Sequence, residues 1–230
     1  MRNSSEKLFY ILGEGFAKGT VFLVFYVFSN YLSKTSFGKL SLYWAAIPVF
    51  SLLLDLAQRS YVKIYYIENK EHIYSLLKNI YLFSIGTFIL LLIVQKLLSF
   101  FDIYLIDEKF DVYLIWSSFF FVLIELYLSY LQIKGKVLRY SFIYIIRSSI
   151  TYIITALIFL FWLVDIKIYP IIYLITSGIT ALFLFQLVWK KGKSIKLSSF
   201  KKSIFDSLIF SSPLIIGINL FLYSTGDPSP

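Results

Sequence analysis

Cysteine is absent from the 230 residues, histidine occurs once, and Asp, Glu, Lys and Arg together make up only 15%. Without cysteine there is neither a disulfide nor a thiolate metal site. His72, beside Glu71 in a connecting segment, builds no cluster of metal ligands and reads as a solvated loop histidine. No Walker A sequence, nucleophile elbow or H-E-x-x-H occurs, which argues against an ATPase, a serine hydrolase or a zinc protease. Neither catalysis nor a cofactor is expected. The acidic stretch with Asp102, Asp107, Glu108 and Asp111 reads as a solvated loop rather than a cation site.

What fills the chain instead is apolar: 59% hydrophobic and 20% aromatic residues, with a mean hydropathy of +0.78. That leaves too little polar surface to cover a soluble globule, so the chain reads as an integral membrane protein. The apolar runs are continuous rather than alternating, which predicts an all-α, polytopic helix bundle and not a barrel. Seven spans are predicted, at 8–30, 40–62, 79–99, 112–133, 139–164, 168–189 and a short seventh at 207–223 that carries Pro213, Gly217 and Asn219. Pro48 and Pro170 are expected to bend the second and sixth.

Basic residues orient the spans. With the N-terminus inside, fifteen Lys and Arg fall in inner segments and five (Lys34, Lys39, Lys96, Lys109, Lys167) in outer ones. This bias predicts a cytoplasmic N-terminus. The net charge of +9 is then mostly topological. The basic run 190–202 is an inner loop suited to anionic lipid, and nucleic acid is not an expected partner.

Two cations remain within spans, Lys18 and Arg147, with Glu14, Asp55 and Glu125 as intramembrane carboxylates and Arg59 near an inner end. Each charge in a span costs roughly 2.5–3.5 kcal/mol on insertion scales, so each calls for a partner or for water. Glu14 with Lys18 and Asp55 with Arg59 are four residues apart and share helix faces. Glu125 and Arg147 have no partner in their own helices. On an α-helix Arg147, Ser148, Thr151 and Thr155 share a face of the fifth span, as do Ser118, Glu125, Ser129 and Gln132 on the fourth. Two such stripes make either a hydrogen-bonded helix interface or the wall of a hydrated cavity, and an arginine without a helical partner favours the cavity. Gly15 and Gly19 form a G-x-x-x-G expected to allow close helix approach.

Residues 31–66, YLSKTSFGKLSLYWAAIPVFSLLLDLAQRSYVKIYY, resemble the first outer turn and second helix of Wzx-type polysaccharide-repeat flippases. The Tyr-Leu turn at 31–32, Phe37 and Gly38 opening the helix, and Asp55-Leu56 near its end carry the resemblance, with Ala57 where that family usually has glycine. SSPLIIGINLFLYSTGD, residues 211–227, is similar to the family's seventh helix.

The resemblance implies a member of the multidrug, oligosaccharidyl-lipid and polysaccharide exporter superfamily. Its members place twelve or fourteen helices in two lobes around a cavity, and move an undecaprenyl-diphosphate-linked repeat unit across the bacterial inner membrane. It implies lipid-linked oligosaccharide, membrane lipid and other polysaccharide-assembly membrane proteins as partners. Lys18 and Arg147, with Ser148, Thr151 and Thr155, are the substrate-binding candidates, and Glu14, Asp55, Arg59 and Glu125 the ion-coupling or charge-balancing ones. Residues 1–206 are expected to form a six-helix lobe, and 207–230 to begin a truncated second lobe. A non-transporting accessory subunit and a drug or ion-coupled exporter are the alternative expectations. A polymerase or ligase of the same pathway is disfavoured by the short, acidic outer loop.

Overall fold

The computed structural model describes residues 4–56, 58–68, 72–162 and 168–192, with positions 205 and 209, and all regular structure among them is helical. The predicted seventh span and the part of the basic loop beyond Gly192 lie outside the described residues. The helices are α1 (Ser4–Tyr31), α2 (Lys34–Asp55), α3 (Gln58–Glu68), α4 (Ile73–Phe100), α5 (Glu108–Ile133), α6 (Val137–Ile145), α7 (Thr151–Trp162) and α8 (Ile168–Lys191). Between α6 and α7 the chain makes a π turn over Ile146–Ile150 and continues as one span. Among the described residues six segments are long and apolar enough to cross a bilayer, with mean hydropathies of 1.5 to 2.1. They correspond to the first six predicted spans.

The second span is corrected at both ends. It begins at Lys34, capped by the Ser33 hydroxyl on the Ser36 N–H, and stops at Asp55. Leu56 sits in the left-handed region at φ 42°, ψ 44°, and α3 starts beyond it. An apolar pattern cannot reveal such a break, because Leu56 is itself a strong helix former. The left-handed backbone costs a branched side chain about 1–2 kcal/mol. Pro48 is accommodated inside α2. Pro170 falls in the first turn of α8, where the missing N–H is no loss, and so is not placed to bend that span.

α5 is the axis of the bundle: 67% of its apolar window is buried, against 28–33% for the other five spans. It packs against α2, α4 and α8, with α3 and α6 at one end. The other spans bury one stripe each and turn Phe22, Leu23, Ile93, Leu97, Ile179 and Leu182 outward, as a lipid-facing helix does. α1 lies along α6, the π turn and α7, and meets α2, its neighbour in sequence, through Phe25 and Phe28 against Trp44. On its buried stripe, a Cβ added at Gly13 would lie 2.9 Å from Ser141 Cβ of α6, whereas Cβ atoms at Gly15 and Gly19 would meet nothing. The close approach expected of the G-x-x-x-G pair is therefore made by Gly13 instead.

The acidic α4–α5 loop is consumed by its own fold. Asp107 caps α5 by accepting from the Phe110 N–H at 3.0 Å and meets Lys39 of α2 at 3.1 Å. Asp111 accepts from the N–H groups of Leu105 and Ile106 at 2.7 and 3.0 Å. Burial works to raise the Asp107 pKa, but the Phe110 N–H and the Lys39 ammonium outweigh it and hold the carboxyl below the usual range. A lowered folded pKa stabilises above the unfolded value of about 4, and that contribution is lost as pH falls through the folded value. Asp107→Ala is expected to cost about 1 kcal/mol at neutral pH, the worth of an N-cap. Asp107→Asn keeps the cap and should lose only the acid-dependent part. Melting midpoints in detergent between pH 3 and pH 7 would show it, and equal pH profiles for wild type and Asn would contradict the assignment.

Candidate functional site

Four charged side chains from four separate elements meet near the axis of the bundle. Asp55, fully buried at the end of α2, forms an ion pair with Arg59 across the Leu56 break. Arg59 also donates from a terminal nitrogen to Ser51 Oγ at 3.1 Å and faces Glu125 Oε2 on α5 at 4.0 Å. The other oxygen of Glu125 accepts from Arg147 in the π turn. The order Asp55, Arg59, Glu125, Arg147 alternates in sign and sums to zero, which is how buried charge is tolerated. Because the helix breaks between Asp55 and Arg59, their contact is a junction between two helices rather than the one-face pair the spacing predicts.

Arg147 has a second side. Its guanidinium stacks over the rings of Phe121 and Tyr144, 4.6 and 5.1 Å from their centroids. There it lines a cleft of about 130 Å³ with Lys18, Ser148, Phe121, Tyr144, Tyr152 and Tyr173. Lys18 comes from α1 with its side chain 72% exposed, and Glu14, 3.5 Å from its ammonium, is absent from the lining. Glu125 is absent as well. The cleft thus presents two cations and several hydroxyls, with both partner carboxylates outside its lining. Such a surface suits an anion.

The structure brings Lys18, Arg147 and Ser148 together and separates Thr151 and Thr155 from them. Thr151 Oγ1 meets Thr176 Oγ1 of α8 at 2.6 Å, and Thr155 donates to the Thr151 carbonyl at 2.8 Å. Both threonines are fully buried, in a helix seam and not on the cleft. The π turn is the reason: its i→i+5 pattern inserts a residue relative to an α-helix and rotates the face that follows. Tyr152, four residues after Ser148 and eight after Tyr144, follows them onto the cleft. On α5, Ser118 and Ser129 are buried in helix packing and Gln132 is exposed. Tyr144, three residues before Arg147, was within reach of the spacing argument. Nothing in the sequence distinguishes Tyr173 from the lipid-facing aromatics.

Elsewhere among the described residues no three His, Cys, Asp or Glu side chains gather as a metal site would require.

Six apolar helices with an alternating ion chain at their axis and a cation-lined cleft beside it define a multi-pass helical membrane protein with a charged interior. Its sequence matches the family described as "Polysaccharide biosynthesis protein" over residues 6–227, and the chain belongs to that family, the one that includes the Wzx-type flippases. It is 26% identical over 212 residues to an "Uncharacterized membrane protein" of Haemophilus influenzae, an alignment covering 90% of this chain and 50% of that one. The chain therefore spans about half the length of the curated relative it matches. No solved structure matches.

Proposed function

We propose that the chain is the substrate-engaging lobe of a flippase that moves undecaprenyl-diphosphate-linked oligosaccharide repeat units across the bacterial inner membrane, with its N-terminus cytoplasmic. The observation that carries this reading is the lining of the cleft: Lys18 and Arg147 face it, and neither Glu14 nor Glu125 does. A diphosphate offers both cations a second anionic partner, in exchange for Glu14 and Glu125. The cleft is sized for the charged linkage and not for a sugar repeat, so the oligosaccharide lies beyond it.

The ion chain explains how Arg147 can exchange partners. Held by Glu125, it swings toward a diphosphate oxygen when one arrives. Glu125 is then left facing Arg59, 4.0 Å away, and is never stranded without a cation. Stacking on Phe121 and Tyr144 keeps the guanidinium plane fixed during the exchange. Hydroxyls of Tyr144, Tyr152 and Tyr173 are available as further donors, while that of Ser148 donates to the Tyr144 carbonyl at 2.7 Å.

The test is complementation of a strain lacking its polysaccharide flippase. Arg147→Gln combined with Glu125→Gln leaves no buried charge unpaired, so the protein should reach the membrane at normal levels. Surface polysaccharide should nevertheless fall roughly tenfold to a hundredfold, the worth of a charge-assisted hydrogen bond. Lys18→Ala, at an exposed position, should cost severalfold. Normal polysaccharide in the double variant would defeat the reading and leave a non-transporting accessory subunit in its place.

A further inference from the structure

A second concavity lies on the opposite side of the helix that carries Arg147. Between α6 and α8 runs a groove of about 530 Å³ walled by Phe142, Ile146, Ile179, Phe183 and Leu187. Phe142, Ile179 and Phe183 are 65%, 66% and 59% exposed, so the groove opens onto the lipid-facing flank and not into the cleft. From Arg139 to Ile146 it follows α6 for about 10 Å at the helical rise. Its volume falls within the roughly 300–1,000 Å³ of ordinary ligand sites. Thr180, its one hydroxyl-bearing wall residue besides Tyr127, is satisfied by the Thr176 carbonyl at 2.8 Å. The walls are otherwise apolar.

The polarity is concentrated at one end. Arg139, exposed in the first turn of α6, lines the mouth beside Tyr127. Among the described residues Arg139 forms no ion pair. The same end of the bundle holds a basic and aromatic cluster. Tyr127 packs on Tyr130 with ring centroids 5.7 Å apart, Lys134 donates to the Tyr130 hydroxyl at 2.9 Å, and Lys191 lies 5.4 Å from the centre of the Tyr74 ring. Tyrosines and basic residues at a span's end mark the headgroup level of a bilayer.

A long apolar slot, with a guanidinium at headgroup depth that pairs with no described carboxylate, matches an amphiphile with one anionic group and an alkyl tail. We propose that this groove holds an anionic glycerophospholipid, one acyl chain lying between α6 and α8 and its phosphate on Arg139. The site is separate from the Arg147 cleft and does not rest on the transport reading. Ile143 and Ile146 line the groove while Tyr144, Arg147 and Ser148 line the cleft.

Native mass spectrometry of the purified protein in mild detergent, with phosphatidylglycerol or phosphatidylethanolamine added at equal concentration, tests this directly. One phosphatidylglycerol per chain should bind with a preference of about fivefold, the worth of one basic residue at an anionic surface. Arg139→Gln should erase the preference and Arg139→Lys should keep most of it. Thr180→Phe, which fills the slot, should weaken both lipids together. Because Arg139 is exposed, the lipid-free melting midpoint of Arg139→Gln should match wild type, so a loss of binding is not a loss of fold. Three results would overturn the site: an undiminished preference in Arg139→Gln, stronger retention of undecaprenyl phosphate than of phosphatidylglycerol, or a lipid-free dimer that protects Phe183 from labelling.

Discussion

Glu125→Gln alone is expected to cost the fold about 3–5 kcal/mol, the largest effect of any single conservative substitution considered for this chain. The reason is the position of Glu125 between two guanidinium groups. Arg147 is 90% removed from solvent, with a side-chain exposure of 10%, and Glu125 is the acid that holds it. An amide keeps the shape and a hydrogen-bond acceptor but leaves the Arg147 charge uncompensated near the axis of the bundle. Glu125→Gln with Arg147→Gln should recover most of the lost stability, since removing both partners of a buried pair leaves no naked charge. Arg59 keeps Asp55 in either case. Melting midpoints of the two single variants and the double variant in detergent decide the matter. A Glu125→Gln midpoint within experimental scatter of wild type would mean that water reaches Arg147 freely and that the ion chain is not structural.

The second large effect is expected at Gly13. Gly13→Leu forces a branched side chain into a contact where a bare Cβ already comes within 2.9 Å of Ser141 Cβ and 3.1 Å of its Oγ. Ser141 belongs to α6, whose backbone is continuous with the π turn that presents Arg147. α1 must then move away, and Lys18 with it. Gly13→Ala should cost about 1–3 kcal/mol by overpacking. Gly15→Ala and Gly19→Ala, with open space at both positions, should be neutral or stabilising by up to about 1 kcal/mol through helix propensity. The double variant Gly13→Ala/Ser141→Gly restores the space and should regain most of the loss. If Gly15→Ala or Gly19→Ala proved the more damaging, α1 would be packed against something other than α6, and the cleft between α1 and the π turn would have to be redrawn.

How much of this was legible beforehand differs from residue to residue. Lys18, Arg147 and Glu125 stood out because charge inside an apolar run is rare and costly, so no contact information was needed to single them out. That Glu125 and Arg147 sought partners outside their own helices followed from their spacing, but their choice of each other did not. Arg59, four residues from Asp55, was visible as its partner, while its bridging approach to Glu125 was not. Thr151 and Thr155 illustrate the opposite case. Their place on the Arg147 face was sound α-helical geometry, and it failed because five residues adopt the π form. Gly13 was outranked by a G-x-x-x-G pattern that records which spacing permits close approach, but not which helix approaches.

The sequence by itself determined the solvent and the architecture that solvent permits. With no water in the hydrocarbon core to satisfy backbone N–H and C=O groups, apolar runs of about twenty residues must be helices, and the order of the first six along the chain follows from composition and length. Rotation and partnership belonged to the tertiary structure alone. Lipid tails are as apolar as the side chains they touch, so a span's hydrophobicity does not say which of its faces turns inward. Close packing at Gly13, the left-handed break at Leu56 and the extra residue in the π turn settle those faces. Through them Arg147 stands between Glu125 and an open cleft, and Arg139 at the mouth of a groove.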